Sequence, residues 1–127
     1  MKRLIAVLFL AACSDAPDPA GQDLFNAYCV MCHGPAGQGD GGLAGDLDIP
    51  PADLSLLADR NGGVFPRDLV METVYGYPGK FHMAAMPEFG PLLTGPTRMV
   101  RSQSGALIET PEALIELTDY VENLQQR

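Results

Sequence analysis

The chain has 127 residues, 46% of them hydrophobic and 19% charged, which is enough for one compact domain and excludes a multi-domain enzyme. Eight basic residues against sixteen acidic ones give a net charge of -8, which repels a phosphate backbone and argues against nucleic acid as a partner. With 14 Gly, 11 Pro, no Trp and few other aromatics, much of the chain must be loop around a thin apolar core, leaving room at the centre for something other than side chains.

At the start, Met1-Lys2-Arg3 is a short basic segment followed by an unbroken apolar run over residues 4–12. This reads as a secretory signal peptide, since the run is far shorter than the ~20 residues a spanning helix needs. It ends in Leu10-Ala11-Ala12-Cys13, which resembles the lipobox of bacterial lipoproteins. The resemblance implies lipidation of Cys13, cleavage just before it, and a lipid-anchored protein on the periplasmic side of a bacterial membrane. Removing Lys2 and Arg3 with the leader leaves six basic residues against sixteen acidic ones. Residues 13–20 then form the anchor cysteine and a linker, because SDAPDPA has two prolines and no apolar periodicity. A third unit, residues 21–127, is the folded domain.

Asp18 with Pro19 makes a good helix start, and Leu24, Phe25, Tyr28, Cys29 and Cys32 recur at helical spacing, predicting a first amphipathic helix of about three turns that Gly34 ends. Within it stands Cys29-Val30-Met31-Cys32-His33, the C-x-x-C-H pattern of covalent haem c attachment. Positions i and i+3 of a helical turn share a face, so the two thiols can each form a thioether with one haem vinyl group, and His33 falls under the iron as an axial ligand. Export disfavours leaving thiols unpaired, and with Cys13 lipidated it is Cys29 and Cys32 that need an explanation. A thioredoxin-like dithiol would need a βαβ setting that the flanks lack, a zinc site would need a second ligand pair where the only other histidine is His82, and a plain disulfide leaves His33 unexplained.

Residues 34–45 are glycine-rich without the ending of a phosphate loop, and are expected to skirt the haem edge. A short helix is predicted over residues 50–57, ended by Asn61-Gly62-Gly63. Another opens at Phe65-Pro66-Arg67-Asp68, with Leu69, Val70, Thr73 and Val74 on one face and Gly76 at its end. Residues 77–95 read as a loop carrying His82, Met83 and Met86. Weak alternation over residues 98–109 suggests a small hairpin. Finally Thr110 caps a helix with Pro111 at its first position, and Leu114, Leu117, Val121 and Leu124 repeat at helical spacing.

Gly21-x-x-Leu24-Phe25, Cys29 to His33 followed by Gly34-Pro35, Met86-Pro87 and Leu117-x-x-Tyr120-Val121 together resemble the class I c-type cytochromes. The resemblance covers almost everything after the linker and implies an all-α cytochrome c fold of about four short helices around one covalent haem c. It implies that the first and last helices cross through Gly21, Phe25 and Tyr120, and that the carbonyl of Pro35 orients His33. Residues 90–110 depart from the pattern, since many members run from the methionine loop into the last helix after a few residues. For the sixth iron ligand the candidates are Met83, Met86, Met99, His82 and none at all. Met-Pro in a loop is what the family uses, which selects Met86. Met31, Met71 and Met99 are expected in the core as gap-fillers.

Saturation of the iron by His33 and Met86 implies a one-electron carrier and no enzyme. The alternative, a haem enzyme or gas sensor, needs a displaceable sixth ligand, and the sequence offers no distal acid-base set for it. The anchor implies a redox partner in the same membrane: an oxidase, reductase or dehydrogenase, docking through a patch rich in Lys or Arg against this acidic surface.

Overall fold

The computed structural model describes residues 19–76 and 86–126, so Cys13, the leader, His82 and Met83 lie outside the described residues. The first helix begins at Pro19 and takes up the last two residues of the expected linker: α1 spans Pro19–Tyr28 and α2 spans Val30–His33. The predicted three-turn helix is thus bent at Cys29. Its hydrogen bonding continues through the bend, Cys29 N donating to Phe25 O at 2.9 Å and His33 N to Cys29 O at 2.8 Å. Gly34 ends α2 as expected.

A 3₁₀ turn at Ala44–Asp46 is followed by another at Leu54–Leu56, which runs into α3 (Leu57–Arg60). The Asp53 side chain caps this segment, accepting from Ser55 N at 2.9 Å. Helix α4 (Arg67–Tyr75) ends on Gly76, whose φ of 79° is a left-handed cap that a side chain would strain. A 3₁₀ turn at Gly90–Leu92 leads to the hairpin, β1 (Thr97–Arg101) with β2 (Leu107–Pro111), antiparallel with Met99 opposite Glu109 and Val100 opposite Ile108. The last helix, α5, spans Glu112–Asn123. The expected helical fold with a small hairpin before the last helix is what forms, with five α-helices among the described residues where about four were expected, because the first is divided at Cys29.

Thr110 does not cap α5. It is buried inside β2, its hydroxyl donates to Ile108 O at 3.2 Å, and Pro111 is the residue before the helix, not its first. Strand pairing with Arg98 claims Thr110 before the helix can.

The core forms where α1 crosses α5, as the resemblance implied. Phe25, Leu114 and Leu117 are essentially fully buried, and the Phe25 and Tyr120 rings meet at 5.2 Å between centroids. Gly21 permits the crossing, because a Cβ there would collide with the Glu116 carbonyl and lie 3.0 Å from Tyr120 Cβ. Of the methionines expected in the core, Met71 is buried, but Met31 and Met99 are 57% and 59% exposed. Both sit on short elements with only one covered face, and theirs is the other.

Candidate haem site

Local chain geometry assembles the site. The bend at Cys29 turns α2 so that Cys29, Cys32 and His33 all line one cleft of about 250 Å³. Neither thiol is in a disulfide. Burial, and secondarily the neighbouring Cys32, pushes the Cys29 thiol up to about 12. The position therefore disfavours a thiolate and accepts a neutral sulfur, as a thioether is.

His33 Nδ1 lies 2.9 Å from the carbonyl oxygen of Ala52. A carbonyl only accepts, so Nδ1 carries the proton and Nε2 keeps its lone pair for a metal. This corrects the expectation that Pro35 orients His33. The segment that follows Pro50-Pro51 brings Ala52 to the ring, and a backbone carbonyl gives no signal in the sequence.

The remaining walls are apolar. Leu69, Val70, Thr73 and Val74 of α4, the face predicted from their spacing, all line the cleft. Leu117 and Val121 reach it from α5, and Leu54 and Leu57 from the segment that Gln125 ties to α5, its Nε2 donating to Leu54 O at 2.7 Å. The glycine-rich stretch 34–45 does not line the cleft; the loop that does lies just downstream, at Leu47 and Ile49 to Ala52. Sequence reasoning missed this wall and Phe89: the short helix expected over residues 50–57 starts only at Leu54 and runs to Arg60, which leaves Pro50 to Ala52 as non-helical wall.

Met86 and Pro87 also line the cleft. Their segment is tied to the end of α4, Phe89 N donating to Val74 O at 2.9 Å, and the Phe89 ring packs on Tyr28 at 6.0 Å between centroids. Thus the four residues singled out as thioether and axial ligands, Cys29, Cys32, His33 and Met86, share one cleft. The larger cavity, about 350 Å³ between α4 and the hairpin, is lined by none of them. Among the described residues no group of three His, Cys, Asp or Glu could hold a metal ion; His82, the other histidine of the zinc alternative, lies outside them.

An apolar cleft with two thiols on one edge and a metal-ready imidazole nitrogen fits a covalently attached haem. The comparisons agree in kind: the chain belongs to a family of c-type cytochrome domains, and its residues 16–98 match the family described as cytochrome c oxidase, cbb3-type, subunit III. Haem c is accordingly its covalent cofactor, and its class of chemistry is electron transfer. No curated protein and no solved structure matches the chain. The match begins ahead of α1 and ends inside β1, so most of the hairpin and all of α5 lie beyond it.

Proposed function

We propose that the protein is a mono-haem carrier of single electrons in which Cys29 and Cys32 hold the haem by thioethers and His33 and Met86 ligate the iron. The observation that carries this reading is the convergence of all four side chains on one apolar cleft. When bound, haem c supplies a one-electron iron couple whose potential His/Met ligation sets relatively high. The chain's own residues do the rest. Ala52 fixes the His33 tautomer, Phe89 ties the Met86 segment to α4, and the Leu and Val walls offer the haem an apolar bed. If His33 and Met86 both ligate the iron, no coordination site would be left for a substrate, which is what would separate a carrier from an enzyme or gas sensor.

The place of action follows from the anchor. If Cys13 is the lipidated first residue of the mature chain, only residues 14–18 separate it from α1, a reach of about 18 Å at ~3.3–3.6 Å per extended residue. So short a tether favours partners in the same membrane, on its periplasmic side, namely an oxidase, reductase or dehydrogenase with a basic docking patch. The family's description, a subunit of a cytochrome c oxidase, supports an oxidase among these.

The ligand assignment is tested by absorption spectroscopy. Met86→Ala is expected to remove the weak long-wavelength sulfur-to-iron band of the oxidised protein and to let carbon monoxide bind the reduced one. If His82→Ala does this and Met86→Ala does not, the assignment is wrong. Rapid carbon monoxide binding by the unsubstituted protein supports the sensor or enzyme reading instead.

A further inference from the structure

The segment that presents Ala52 to His33 does not hold itself in place. It continues as the 3₁₀ turn Leu54–Leu56 and the four-residue α3, Leu57–Arg60, each far shorter than the ~12–15 residues a helix needs to persist alone in water. Two internal contacts shape it, the Asp53 cap on Ser55 and the Arg60 Nη1 bond to Asp53 O at 3.0 Å, but neither fixes where it lies. Among the described residues its hydrogen bonds to the rest of the domain run to His33, to Gly37 and to the two glutamines that follow α5.

Gln125 spans the gap between α5 and this segment. Its Nε2 donates to Leu54 O at 2.7 Å and to Val121 O at 2.9 Å, and its Oε1 accepts from Ala58 N at 2.9 Å. Carbonyls only accept and a backbone N–H only donates, so the three partners fix which way the side-chain amide points and use both of its donors. A carboxylate lacks those donors, and an aliphatic side chain has neither donor nor acceptor. The next residue adds to the clamp, Gln126 N donating to Ser55 O at 2.9 Å and its Nε2 to Ser55 Oγ at 3.0 Å. Ser55 is buried, and its hydroxyl donates in turn to Asp53 Oδ1 at 2.6 Å.

Leu54 is where the clamp reaches the site. Its carbonyl is held by Gln125, and its N donates at 2.6 Å to the carbonyl of Gly37, four residues beyond His33. Two residues before Leu54 stands Ala52, whose carbonyl oxygen is 2.9 Å from His33 Nδ1. That contact tolerates little displacement, since a hydrogen bond weakens steeply as it lengthens and bends. Gln125 itself is not among the residues lining the cleft, and it lies well beyond residue 98, where the family match ends.

We propose that Gln125 is a positioning residue for the haem iron, acting through the Leu54–Arg60 segment to keep the Ala52 carbonyl on His33 Nδ1, a role that rests on His33 being an axial ligand. The bond it preserves fixes the orientation of the ring and raises the basicity of the opposite nitrogen, which favours the oxidised iron. Loss of the clamp therefore raises the reduction potential and opens the Nδ1 proton to solvent.

The test compares Gln125→Leu with Gln103→Leu in the haem-loaded protein. Gln103 is the matched control, because its side chain also joins separate elements, Nε2 donating to Phe65 O at 3.1 Å and Oε1 accepting from Asp68 N at 3.4 Å, yet it touches nothing in the clamped segment. Exchange of the His33 Nδ1 proton with water is followed by nuclear magnetic resonance of the isotope-labelled, reduced protein. In Gln125→Leu it is expected to speed by about tenfold, the change in an opening equilibrium that losing roughly one net hydrogen bond produces, and the potential is expected to rise. In Gln103→Leu neither moves. If Gln125→Leu yields no folded protein, Gln125→Asn takes its place; it keeps both amide groups one methylene short, and a smaller change of the same sign is expected. An exchange rate or a potential that stays at its unsubstituted value in the folded Gln125 variant, or that moves equally in Gln103→Leu, overturns the proposal. In the oxidised protein the iron's unpaired electron displaces the resonances of a ring bound to it. An undisplaced His33 ring thus overturns the ligand assignment and the proposal with it, whereas a displaced ring with unaltered exchange overturns the clamp alone.

Discussion

Where α1 crosses α5, protein seals protein: Phe25 and Leu114 retain no accessible surface. The cleft between α2, α4 and the Met86 segment is built from side chains of the same kind, yet Leu69 keeps 61% of its surface exposed and Ile49 45%. The first region is complete without a cofactor and the second is not. This chain is thus divided between a half sealed by its own side chains and a half whose apolar wall is arranged for a group that the sequence itself does not contain.

The largest effect should come from removing the cofactor's covalent hold. In Cys29→Ala with Cys32→Ala the cleft walls lose their cover, and each Å² of apolar surface left in water forgoes about 25 cal/mol. Little folded protein is expected, read by far-ultraviolet circular dichroism and urea titration. A haem-free chain that stays folded and unfolds cooperatively would show that the α1–α5 half carries the other, and the division drawn here would fail.

Gly21→Ala attacks the self-sufficient half. The new Cβ meets the Glu116 carbonyl, a backbone atom that moves only if the helices separate. Overpacking of this kind costs about 1–3 kcal/mol, which should lower the urea midpoint of the haem-loaded protein while its visible spectrum stays as it was. A spectral change would mean that the crossing and the ligand set are coupled more tightly than their separate packing implies.

The sequence made one half of this division much easier to read than the other. Attachment chemistry is concentrated in the contiguous residues Cys29 to His33, and the α1–α5 crossing is written in Gly21, Phe25 and the apolar spacing of α5, so both were legible. The α4 wall was legible too, because Leu69, Val70, Thr73 and Val74 share a helical face. What could not be read depends on the path of the backbone through space. The partner of His33 is a carbonyl, which every residue possesses. Leu47 and Ile49 become a wall only once the chain has turned back over α2. The faces of Met31 and Met99 follow from which side of α2 and of the hairpin is covered, and for Met99 that is settled by the hairpin's contact with α4, far off in sequence.

The smallest predicted effect lies at the junction of the two halves. Arg67 opens α4, where a positive charge opposes the helix dipole, and it is held there by Asp119 and by Glu122, the latter at 2.7 Å. These carboxylates stand three residues apart on α5, so one guanidinium links the cofactor-dependent wall to the sealed core. Both are more than a third exposed, and solvent screening limits the link to about 0.5–1 kcal/mol. Arg67→Ala is expected to lower stability by that amount at low salt, and the deficit should shrink in high salt as the wild-type pair is screened. Hydrogen exchange separates the two halves in this variant. If they are distinct units, amides of α4 should open faster while those of α5 keep their protection. Equal acceleration in both helices would mean that α4 and α5 open as one cooperative unit, with the haem cleft and the core sharing a single stability.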